Sequence, residues 1–472
     1  MPRLTVESLR GGIVGLDTPI PLLGGGRRRY VFLDNAASTP TFRFVLDAIS
    51  AFMPWYSGVH RGTGYKAVVA TRAFDETRKV VGSFVGSDPT ENVVIYGNNT
   101  TGLINMLAAR FDFRPDDVVI ATMMEHHSND LPWRKHCRVV HVGIDGRGGV
   151  DLAALRGALA QYSGRVRLIA VSGASNVTGF INPIHEIAEI CHAAGASILV
   201  DAAQLVAHRK VDVLDNDDPR HIDFLVFSGH KIYAPFGIGA LVGPRSFFAQ
   251  GEPVHVGGGA VSFVSIDEVE WSDPPNRDEA GSPNVVGAVA LAASLRILSA
   301  VGLENVEDHE RELLAYCTDR ARSVPGIRLY GPADEPGAKV GVLPFTLDGF
   351  DHSLVATILS AEGGIGVRNG NFCAQVFTRT LLDVTPEEEK SQRAARCDNP
   401  LLPGMVRASL GCYNSREDVD LFIDMLHRIV KRDFRGKYSI DPESGAYRAE
   451  GYSVDVPALF TAGGFIAAPE AK

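Results

Sequence analysis

The segment DFLVFSGHKIYAPFGIGALVG (residues 223–243) decides the fold of this chain, because it joins two apolar strands through a turn that carries a lysine. Its first six and last five residues are rich in Val, Leu, Phe and Ala, which predicts strands buried inside a central sheet. Ser228, His230 and Lys231 follow the first strand directly. Ligands of open α/β sheets bind beyond the carboxyl ends of the strands, so this turn is a candidate binding site.

Five more apolar runs of the same kind precede this segment, and a helix separates two of them. That helix is predicted in PIHEIAEICHAAG (183–195), where apolar residues recur at helical spacing and Gly195 can end the helix. Alternating strands and helices predict an α/β fold with a mostly parallel, seven-stranded sheet. The five runs are VVIY (93–96), VVIA (118–121), RVVHV (138–142), VRLIAVS (166–172) and SILVD (197–201).

After about residue 285 the pattern changes to long helices and short strands, which predicts a second, smaller α+β domain at the C-terminal end. We expect an N-terminal segment (1–30), a large domain (31–288), a small domain (289–436) and a tail (437–472) rich in Gly, Ser and Pro that packs loosely. The elements predicted here are helices in 287–302, 304–324, 353–361 and 416–431, and strands IRLYG (327–331) and VLPFTL (342–347).

Composition limits the class of protein. The 472 residues are 45% hydrophobic and 22% charged, as in ordinary globular proteins. A net charge of −10 argues against nucleic-acid binding, and the short basic run Arg27–Arg29 is interpreted as solvated surface. No apolar run approaches the roughly 18 residues of a membrane span, and the N-terminus lacks the apolar core of a signal peptide. We therefore expect a cytoplasmic protein that binds neither membranes nor nucleic acid.

The six cysteines are scattered through the chain without CxxC spacing. In a cytoplasmic protein this predicts free thiols rather than disulfides, and it does not indicate a metal site. They are Cys137, Cys191, Cys317, Cys373, Cys397 and Cys412.

A carboxylate at a neighbouring strand end suggests a chemical role for Lys231. Asp201 ends the strand SILVD and would suit a pyridinium nitrogen of pyridoxal 5′-phosphate (PLP), because protonation of that ring makes it an electron sink. Gln204 and Asn176 could donate to the phenolic oxygen, and Lys231 could hold the cofactor as a Schiff base. Taken alone, Asp201 could equally be a helix N-cap and Lys231 a solvated loop residue.

Two further segments suit the same cofactor. NNTTGLINMLAAR (98–110) places Thr100 and Thr101 at the start of a helix, where free N–H groups and the helix dipole bind phosphate. MEHHSND (124–130) follows a predicted strand, and an imidazole there could stack on a pyridine ring. The alternatives are an ordinary threonine N-cap and a surface or capped histidine.

Taken together and in this order, the motifs resemble the class V aminotransferase superfamily of fold type I PLP enzymes, most closely the group II cysteine desulfurases and selenocysteine lyases. The resemblance extends from about residue 30 to 430. The motifs are LDNAASTP (33–40), NNTTGLIN (98–105), MEHHSN (124–129), SNVTG (175–179), VDAAQ (200–204), FSGHKIYAPFGIGAL (227–241), EAGSPN (279–284), VRNGNFCAQ (367–375) and VRASLGCYN (406–414).

The resemblance implies a role for each matching residue. His126 would stack on the cofactor and take part in proton transfer, and Asp201 would pair with the pyridine nitrogen. Arg407, assisted by Arg368 and Asn176, would bind the substrate carboxylate, for which a guanidinium offers bidentate geometry. Ser282 would reach the phosphate of the partner subunit, so a homodimer is implied. The residues that would hold the phosphate within the chain are Thr100, Thr101, Ser228 and His230.

Cys373 separates the functions that this superfamily offers. In a desulfurase it would take sulfur from L-cysteine as a persulfide, leave L-alanine and pass the sulfur to an acceptor protein. The sequence departs from the group because Asn371 and Phe372 stand where two histidines usually precede that cysteine, and because the segment 377–404 is longer. The alternatives are a C–S lyase that cleaves cystine or another S-substituted cysteine to pyruvate and ammonia, an epimerase or transaminase, and a PLP-binding regulatory protein without turnover.

Overall fold

A computed structural model describes residues 4–394, 403–441 and 445–454 of the chain. Helices cover much of this length and alternate with short strands. The helices are α1 (Val6–Gly11), α2 (Arg43–Phe52), α3 (Tyr65–Phe84), α4 (Thr100–Arg110), α5 (Leu131–His136), α6 (Leu152–Gln161), α7 (Ile184–Ala193), α8 (Arg245–Ala249), α9 (Val285–Val301), α10 (Leu303–Arg322), α11 (His352–Gly363), α12 (Gln375–Leu381), α13 (Pro386–Ala394) and α14 (Arg416–Val430).

The strands form one large sheet, one smaller sheet and several two-stranded pairs. They are β1 (Pro19–Pro21), β2 (Arg27–Arg29), β3 (Val31–Phe32), β4 (Asn92–Gly97), β5 (Val118–Thr122), β6 (Arg138–Val142), β7 (Val166–Ser172), β8 (Ser197–Asp201), β9 (Phe224–Ser228), β10 (Gly239–Pro244), β11 (Val261–Val264), β12 (Val269–Trp271), β13 (Ile327–Leu329), β14 (Val342–Leu347), β15 (Ile365–Gly366), β16 (Arg368–Gly370), β17 (Met405–Ser409), β18 (Tyr438–Ile440) and β19 (Tyr447–Ala449).

The large sheet contains the seven predicted strands in the order β4-β10-β9-β8-β7-β5-β6. β10 is antiparallel to both of its neighbours, and the other pairs are parallel. The predicted α/β fold with a mostly parallel sheet is confirmed. Parallel strands align their carboxyl ends at one edge, so the residues after β4, β5, β7, β8 and β9 meet there.

Burial on both faces of the sheet explains why its strands are continuously apolar. Every residue of β5 and β9 is buried, and helices cover both faces. The predicted helix between β7 and β8 is confirmed as α7. Its buried residues belong to the first core cluster, the hydrophobic core that also includes buried residues of α2, α3 and α9. Gly195 follows it with φ of 74°, and its N–H donates to His192 O at 2.9 Å, which ends the helix.

The smaller sheet has the order β13-β14-β17-β16 and packs with α10, α11 and α14 in a core cluster of its own. The elements predicted for the C-terminal α+β region are therefore present. The proposed domain boundaries stay a prediction. α9, which begins at Val285, packs on α2 and α3 with the first core cluster, whereas Val31 and Leu33 lie in the cluster of the smaller sheet.

The tail differs from expectation. β18 and β19 form a hairpin on α11, where Tyr438 donates to Glu362 at 2.9 Å and Thr357 donates to the Tyr447 carbonyl at 3.1 Å. Loose packing is therefore wrong for this part of the tail, because its tyrosines find partners on the helix. Residues 455–472 lie outside the described part of the chain.

The cysteines that the structure describes are free thiols, as predicted, and Cys397 lies outside the described residues. Within the described ranges, no helix taken singly has the length and apolar character needed to cross a membrane. α9 and α10 together are long and apolar enough for a membrane span, but they are bent relative to each other by 77°, and much of α9 is buried in the core.

Candidate active site

A cavity of about 510 Å³ opens at the carboxyl edge of the large sheet. Nearly all of the predicted site residues line it, although they come from strand ends and loops far apart in sequence. These residues are Thr100, Thr101, His126, Asn176, Asp201, Gln204, Ser228, His230, Lys231, Arg368, Cys373 and Arg407. Ser282 is the exception: it lies in a neighbouring cavity beside Gly102 and Asn284.

Hydroxyl groups and helix N–H groups gather at one end of the cavity. α4 begins there, and its N-cap is Asn99 rather than a threonine, with Asn99 Oδ1 accepting from Gly102 N at 2.9 Å. Thr100 N donates to Ser228 Oγ at 2.8 Å, and the Thr100 and Ser228 hydroxyls are 2.8 Å apart. The positive end of the helix dipole beside these hydroxyls makes this end of the cavity suitable for a phosphate.

The loop from Lys231 to β10 depends on a close approach between two backbones. A Cβ atom at Gly239 would lie 2.8 Å from the Asn99 carbonyl carbon, so only glycine lets β10 pack against the start of α4. Gly237 lines the cavity and has φ of 61°, which a side chain disfavours. These glycines therefore fix the position of the loop relative to the phosphate end of the cavity.

Lys231 and Asp201 both line the cavity and interact electrostatically. Lys231 lies on a single 3₁₀ turn after β9, and burial lowers the pKa of its amine to about 8, although the negative charge of Asp201 opposes the shift. Burial raises the pKa of Asp201, although a hydrogen bond from Ala203 N at 3.0 Å and the charge of Lys231 favour its ionised form. A partly neutral amine is a better nucleophile and base than an ordinary lysine.

His126 is a neutral imidazole whose single ring proton has a defined position. Burial and the nearby charge of Lys231 lower the pKa of His126 to about 3. Ser128 N donates to His126 Nδ1 at 3.1 Å, so the ring proton resides on Nε2. Burial also lowers the pKa of His230, to about 4. Both histidines are therefore neutral in the free protein at neutral pH.

Glu125, which the sequence analysis did not single out, supports the loop that carries His126. Its carboxylate is buried and accepts from Thr122 Oγ1 at 2.5 Å, Asn129 Nδ2 at 2.7 Å, Ser172 N at 2.9 Å and Ser172 Oγ at 2.7 Å. Burial raises the pKa of Glu125 to about 7 despite these bonds. The glutamate ties the loop to the ends of β5 and β7, and four donors on one carboxylate hold it in one geometry.

Two arginines meet at the opposite end of the cavity, and Asp34 joins them. Arg407 is buried, and its Nη2 lies 3.3 Å from Asp34 Oδ1, while Arg368 Nη2 lies 2.8 Å from Asp34 Oδ2. Arg407 Nη1 also donates to the Asn176 carbonyl at 2.7 Å. Burial lowers the pKa of Arg407 to about 10, so the group stays charged at neutral pH. Asp34 was missed from the sequence although its motif was noted.

The two amide side chains predicted to contact a cofactor oxygen have protein partners. Gln204 Nε2 donates to the Ala36 carbonyl at 2.5 Å, and Asn176 Nδ2 donates to the Phe372 carbonyl at 2.7 Å. Each amide has a second N–H that these bonds do not use. Asn176 thereby also connects the loop after β7 to the loop that carries Cys373.

Cys373 is exposed in the cavity on a backbone that turns in the left-handed region, with φ of 53° at Phe372 and 55° at Cys373. Hydrogen bonds from outside the loop hold this turn. Asn176 binds the Phe372 carbonyl, and His127 N donates to the Cys373 carbonyl at 2.7 Å. The His127 ring accepts from Gln375 N at 3.3 Å. Non-glycine residues in this conformation are strained, so the surrounding hydrogen bonds must hold the turn in place.

The side chains before Cys373 have structural partners. Asn371 Nδ2 donates to the Pro403 carbonyl at 3.1 Å, and the Phe372 ring lies under the Arg407 guanidinium at 4.8 Å. The imidazole that contacts the cysteine loop is His127, which comes from the segment 124–130. The described part of the longer segment forms α12 and α13, joined by an Arg379–Glu389 ion pair of 2.8 Å.

Residues 31–422 match the model of one protein family, described as aminotransferase class V. Because the match covers most of the chain, the protein belongs to the class V aminotransferase family. The resemblance found in the motifs is thereby confirmed, together with the fold that it implied.

The curated relatives and solved structures to which the chain is similar include several cysteine desulfurases. A cysteine desulfurase of Dickeya dadantii is 36% identical over 88% of this chain and 96% of its own length. A probable cysteine desulfurase of Mycolicibacterium paratuberculosis is 35% identical over 85% of this chain, but the match spans only 55% of that longer protein. The apo structure of a cysteine desulfurase from Thermococcus onnurineus NA1 has a TM-score of 0.78 and 31% identity, covering 90% of this chain and 98% of that one.

Proposed function

We propose that this protein is a PLP-dependent cysteine desulfurase, which converts L-cysteine to L-alanine and receives the sulfur on Cys373. The observation that carries the proposal is that an exposed cysteine on a strained, hydrogen-bonded turn opens into the same cavity as Lys231, Asp201 and Arg407. The curated desulfurase relatives at about 35% identity support it.

The donor set of the cavity fits PLP. Thr100, Ser228 and the N–H groups of α4 suit the phosphate, and the buried Asp201 suits a protonated ring nitrogen. Lys231 can attach the aldehyde carbon, and His126 can stack on the ring face. When bound, PLP supplies the electron sink that stabilises negative charge at the substrate Cα.

Proton transfer falls to Lys231, and His126 assists it. With its pKa near 8, Lys231 can bind the cofactor as an amine and then remove the proton from the substrate Cα. His126 keeps a proton on Nε2 and can donate a hydrogen bond inside the cavity, so it orients the reacting groups while Lys231 moves the proton. Asp201 would keep the ring nitrogen of bound PLP protonated through its negative charge.

Arg407 and Arg368 form the binding site for the substrate carboxylate. Their bonds to Asp34 orient both guanidinium groups, and the buried Arg407 Nε has no hydrogen-bond partner among the described residues. A carboxylate placed beside Arg407 would satisfy this donor. Asp34 is therefore a positioning residue, and the negative charge that it supplies offsets part of the repulsion between the two arginines.

Cys373 completes the reaction by nucleophilic attack. Its thiolate attacks the sulfur of the bound cysteine, so the S–S bond of a persulfide forms while the substrate Cβ–S bond breaks. The electron pair of the broken bond takes up a proton, and alanine leaves. The persulfide then requires an acceptor, and we propose a sulfur-acceptor protein as its partner.

A C–S lyase is the alternative, because the residues directly before Cys373 supply no base to its thiol. Asn371 and Phe372 have no basic side chain to offer the thiol, and they contact the Pro403 carbonyl and the Arg407 guanidinium instead. A lyase would release pyruvate and ammonia from cystine or another S-substituted cysteine without using Cys373.

The product distinguishes the two functions. The purified, PLP-loaded protein is incubated with L-cysteine and, separately, with cystine, and the organic product is identified by chromatography. Alanine from cysteine supports the desulfurase. Pyruvate from cystine, with no alanine from cysteine, supports the lyase and contradicts the proposal.

Removing the charge of Asp201 should slow Cα deprotonation strongly. A carboxylate beside the ring nitrogen raises the pKa of that nitrogen, because an opposite charge favours the protonated form. For Asp201→Ala we expect weaker PLP binding and a loss of at least ~10²-fold in turnover, about 2.7 kcal/mol of barrier. Asp201→Asn keeps the acceptor for Ala203 N, so an equal loss in both variants assigns the effect to charge. Wild-type rates in both would show that another group protonates the ring.

His127 should act as a positioning residue for the cysteine turn. His127→Ala removes the acceptor of Gln375 N but keeps the backbone bond to Cys373. One hydrogen bond contributes about 0.5–1.5 kcal/mol, so alanine formation should fall by roughly 2- to 10-fold. His127→Gln keeps an acceptor and should recover part of the loss. His427→Ala on α14 is the matched control, and cofactor absorbance should be unchanged in all three.

We propose a homodimer with shared sites and a cytoplasmic location. Ser282 is exposed and lies near the start of α4 in the neighbouring cavity, which suits a contact made from a second copy. The exposed aromatic residues Trp55, Tyr56 and Tyr65 are apolar surface that such an interface would cover.

A further inference from the structure

Two histidines and an aspartate meet at the end of the large sheet opposite the active site. His192 lies in the last turn of α7, while His221 and Asp223 lie in the loop before β9. Their ligand atoms all lie within 4.8 Å of one another, and the three side chains are half-buried. We call this group the His192 cluster. Neither the proposed mechanism nor the family motifs use it.

The hydrogen bonds of the two imidazoles fix their orientation. His192 Nδ1 donates to the Pro219 carbonyl at 2.7 Å, and His221 Nδ1 donates to the Asp218 carbonyl at 2.7 Å. A carbonyl can only accept, so both Nδ1 atoms carry protons. The Nε2 atoms therefore face the Asp223 carboxylate, at 2.9 Å from His192 and 3.5 Å from His221.

The two Nε2 atoms together carry no proton, one proton or two, and with one proton the unprotonated ring still turns its lone pair toward the carboxylate. If they carry no proton, their lone pairs point at a carboxylate, which is unfavourable unless a cation lies between them. If both carry protons, two positive rings stack 4.2 Å apart with an interplanar angle of 17° on a single carboxylate. A divalent cation removes both difficulties, because it accepts both lone pairs and the carboxylate together.

We propose that the His192 cluster is a binding site for a divalent transition metal of the zinc class. Two imidazole nitrogens and one carboxylate oxygen match the ligand types of Zn²⁺, with bonds of about 2.0–2.2 Å, and water would complete the tetrahedron. Metal-bound histidines usually donate their other ring N–H to a backbone carbonyl, and both histidines here already do so.

The surroundings hold the carboxylate in place for this role. Ile198 N, at the start of β8, donates to Asp223 Oδ2 at 2.9 Å. A bound ion would join the end of α7, the loop before β9 and, through Asp223, the start of β8. The length of β9 separates the cluster from Ser228 and Lys231, and none of the three residues lines the cavity, so the ion would act on stability rather than on the chemistry of the cavity.

Cobalt is the probe for this site because its visible spectrum reports its ligands. The chelator-treated, PLP-loaded protein is titrated with Co²⁺ and then with Zn²⁺. We expect one equivalent of Co²⁺ with d–d bands and no sulfur charge-transfer band, displacement by Zn²⁺, and a rise in Tm with either metal. A sulfur band would instead assign the metal to a cysteine.

Matched variants tie the binding to the cluster. His221→Ala and Asp223→Asn should each lose the equivalent of Co²⁺ and the rise in Tm. Asp223→Asn preserves side-chain shape, and its folding is checked by circular dichroism. His185→Ala, on the first turn of α7 and outside the cluster, should bind like wild type. No binding by wild type, or equal binding by the cluster variants, would overturn the proposal and leave an imidazolium–carboxylate group only.

Discussion

Replacing Lys231 by alanine is expected to abolish turnover of L-cysteine and covalent attachment of PLP. The amine is both the attachment point and the base at Cα, so we expect a loss of at least ~10³-fold, the scale of losing a general base and a nucleophile together. The wild-type protein should be yellow, and borohydride should remove its visible band and leave a cofactor adduct on Lys231 in a peptide digest. A colourless wild type that gains no band with added PLP would contradict the cofactor assignment.

Lys339 provides a matched control for Lys231. It is buried, burial lowers its pKa to about 8 as well, and its Nζ has no hydrogen-bond partner among the described residues, yet it does not line the cavity. Lys339→Met should keep the yellow band and the adduct on Lys231. Labelling of Lys339 by PLP in the wild type would show that low amine pKa alone selects the site.

The lowered pKa of Lys231 also sets a pH dependence for cofactor capture by the apoenzyme. Only the neutral amine attacks an aldehyde, so the rate of PLP attachment should rise with pH and level off above about 8. An ordinary lysine would continue to gain up to about 10.4. Stopped-flow absorbance of the apoenzyme mixed with PLP measures this profile.

Replacing Cys373 by alanine should abolish alanine formation from L-cysteine, by at least ~10³-fold, while PLP binding and its spectral response to L-cysteine remain. The reason is that the thiolate is the only sulfur acceptor in the proposed reaction, whereas Lys231, Asp201 and Arg407 are untouched. Chromatography measures the loss of alanine formation, and the visible spectrum of the same sample measures the retained PLP binding and response to L-cysteine. Full activity in this variant would overturn the desulfurase proposal and leave a lyase with pyruvate as its product.

Alkylation gives an independent measurement of the same thiol. Iodoacetamide should inactivate the wild type, and L-cysteine should protect Cys373 from modification. Cys137 is the control thiol, because burial raises its pKa to about 11 and its thiolate is scarce at neutral pH. Cys137→Ala should therefore leave both activity and the rate of inactivation unchanged.

The strands of the large sheet could be predicted because burial on both faces makes each one a continuous apolar run. Their order could not, because nothing in VVIY or GALVG specifies that β4 pairs with β10 across some 140 residues. The tail was predicted from composition alone, which does not reveal that Tyr438 and Tyr447 find partners on α11.

Site residues could be predicted from the sequence where the residue type itself indicates the chemistry. Residues that act only through a contact with another side chain or loop were missed. Asp201 ends a recognisable strand and Lys231 follows another, so their meeting at one sheet edge follows from the fold. Asp34 and His127 act through bonds to Arg407 and to the Cys373 loop, which are remote in sequence. The His192 cluster lacks any motif spacing, because a helix end and a loop bring its members together.

The position of β10 between β4 and β9 has a consequence for how the protein forms during synthesis. β5 to β9 each pair with strands close to them in the chain, so this part of the sheet can assemble as it emerges. β4 is made earlier but has no neighbour until residues 239–244 are available. Because α4 follows β4, we expect the hydrogen bond between Thr100 and Ser228 to form only after β4 has paired with β10. We therefore expect a nascent chain that ends before residue 239 to lack the phosphate end of the cavity and to leave β4 exposed to chaperones.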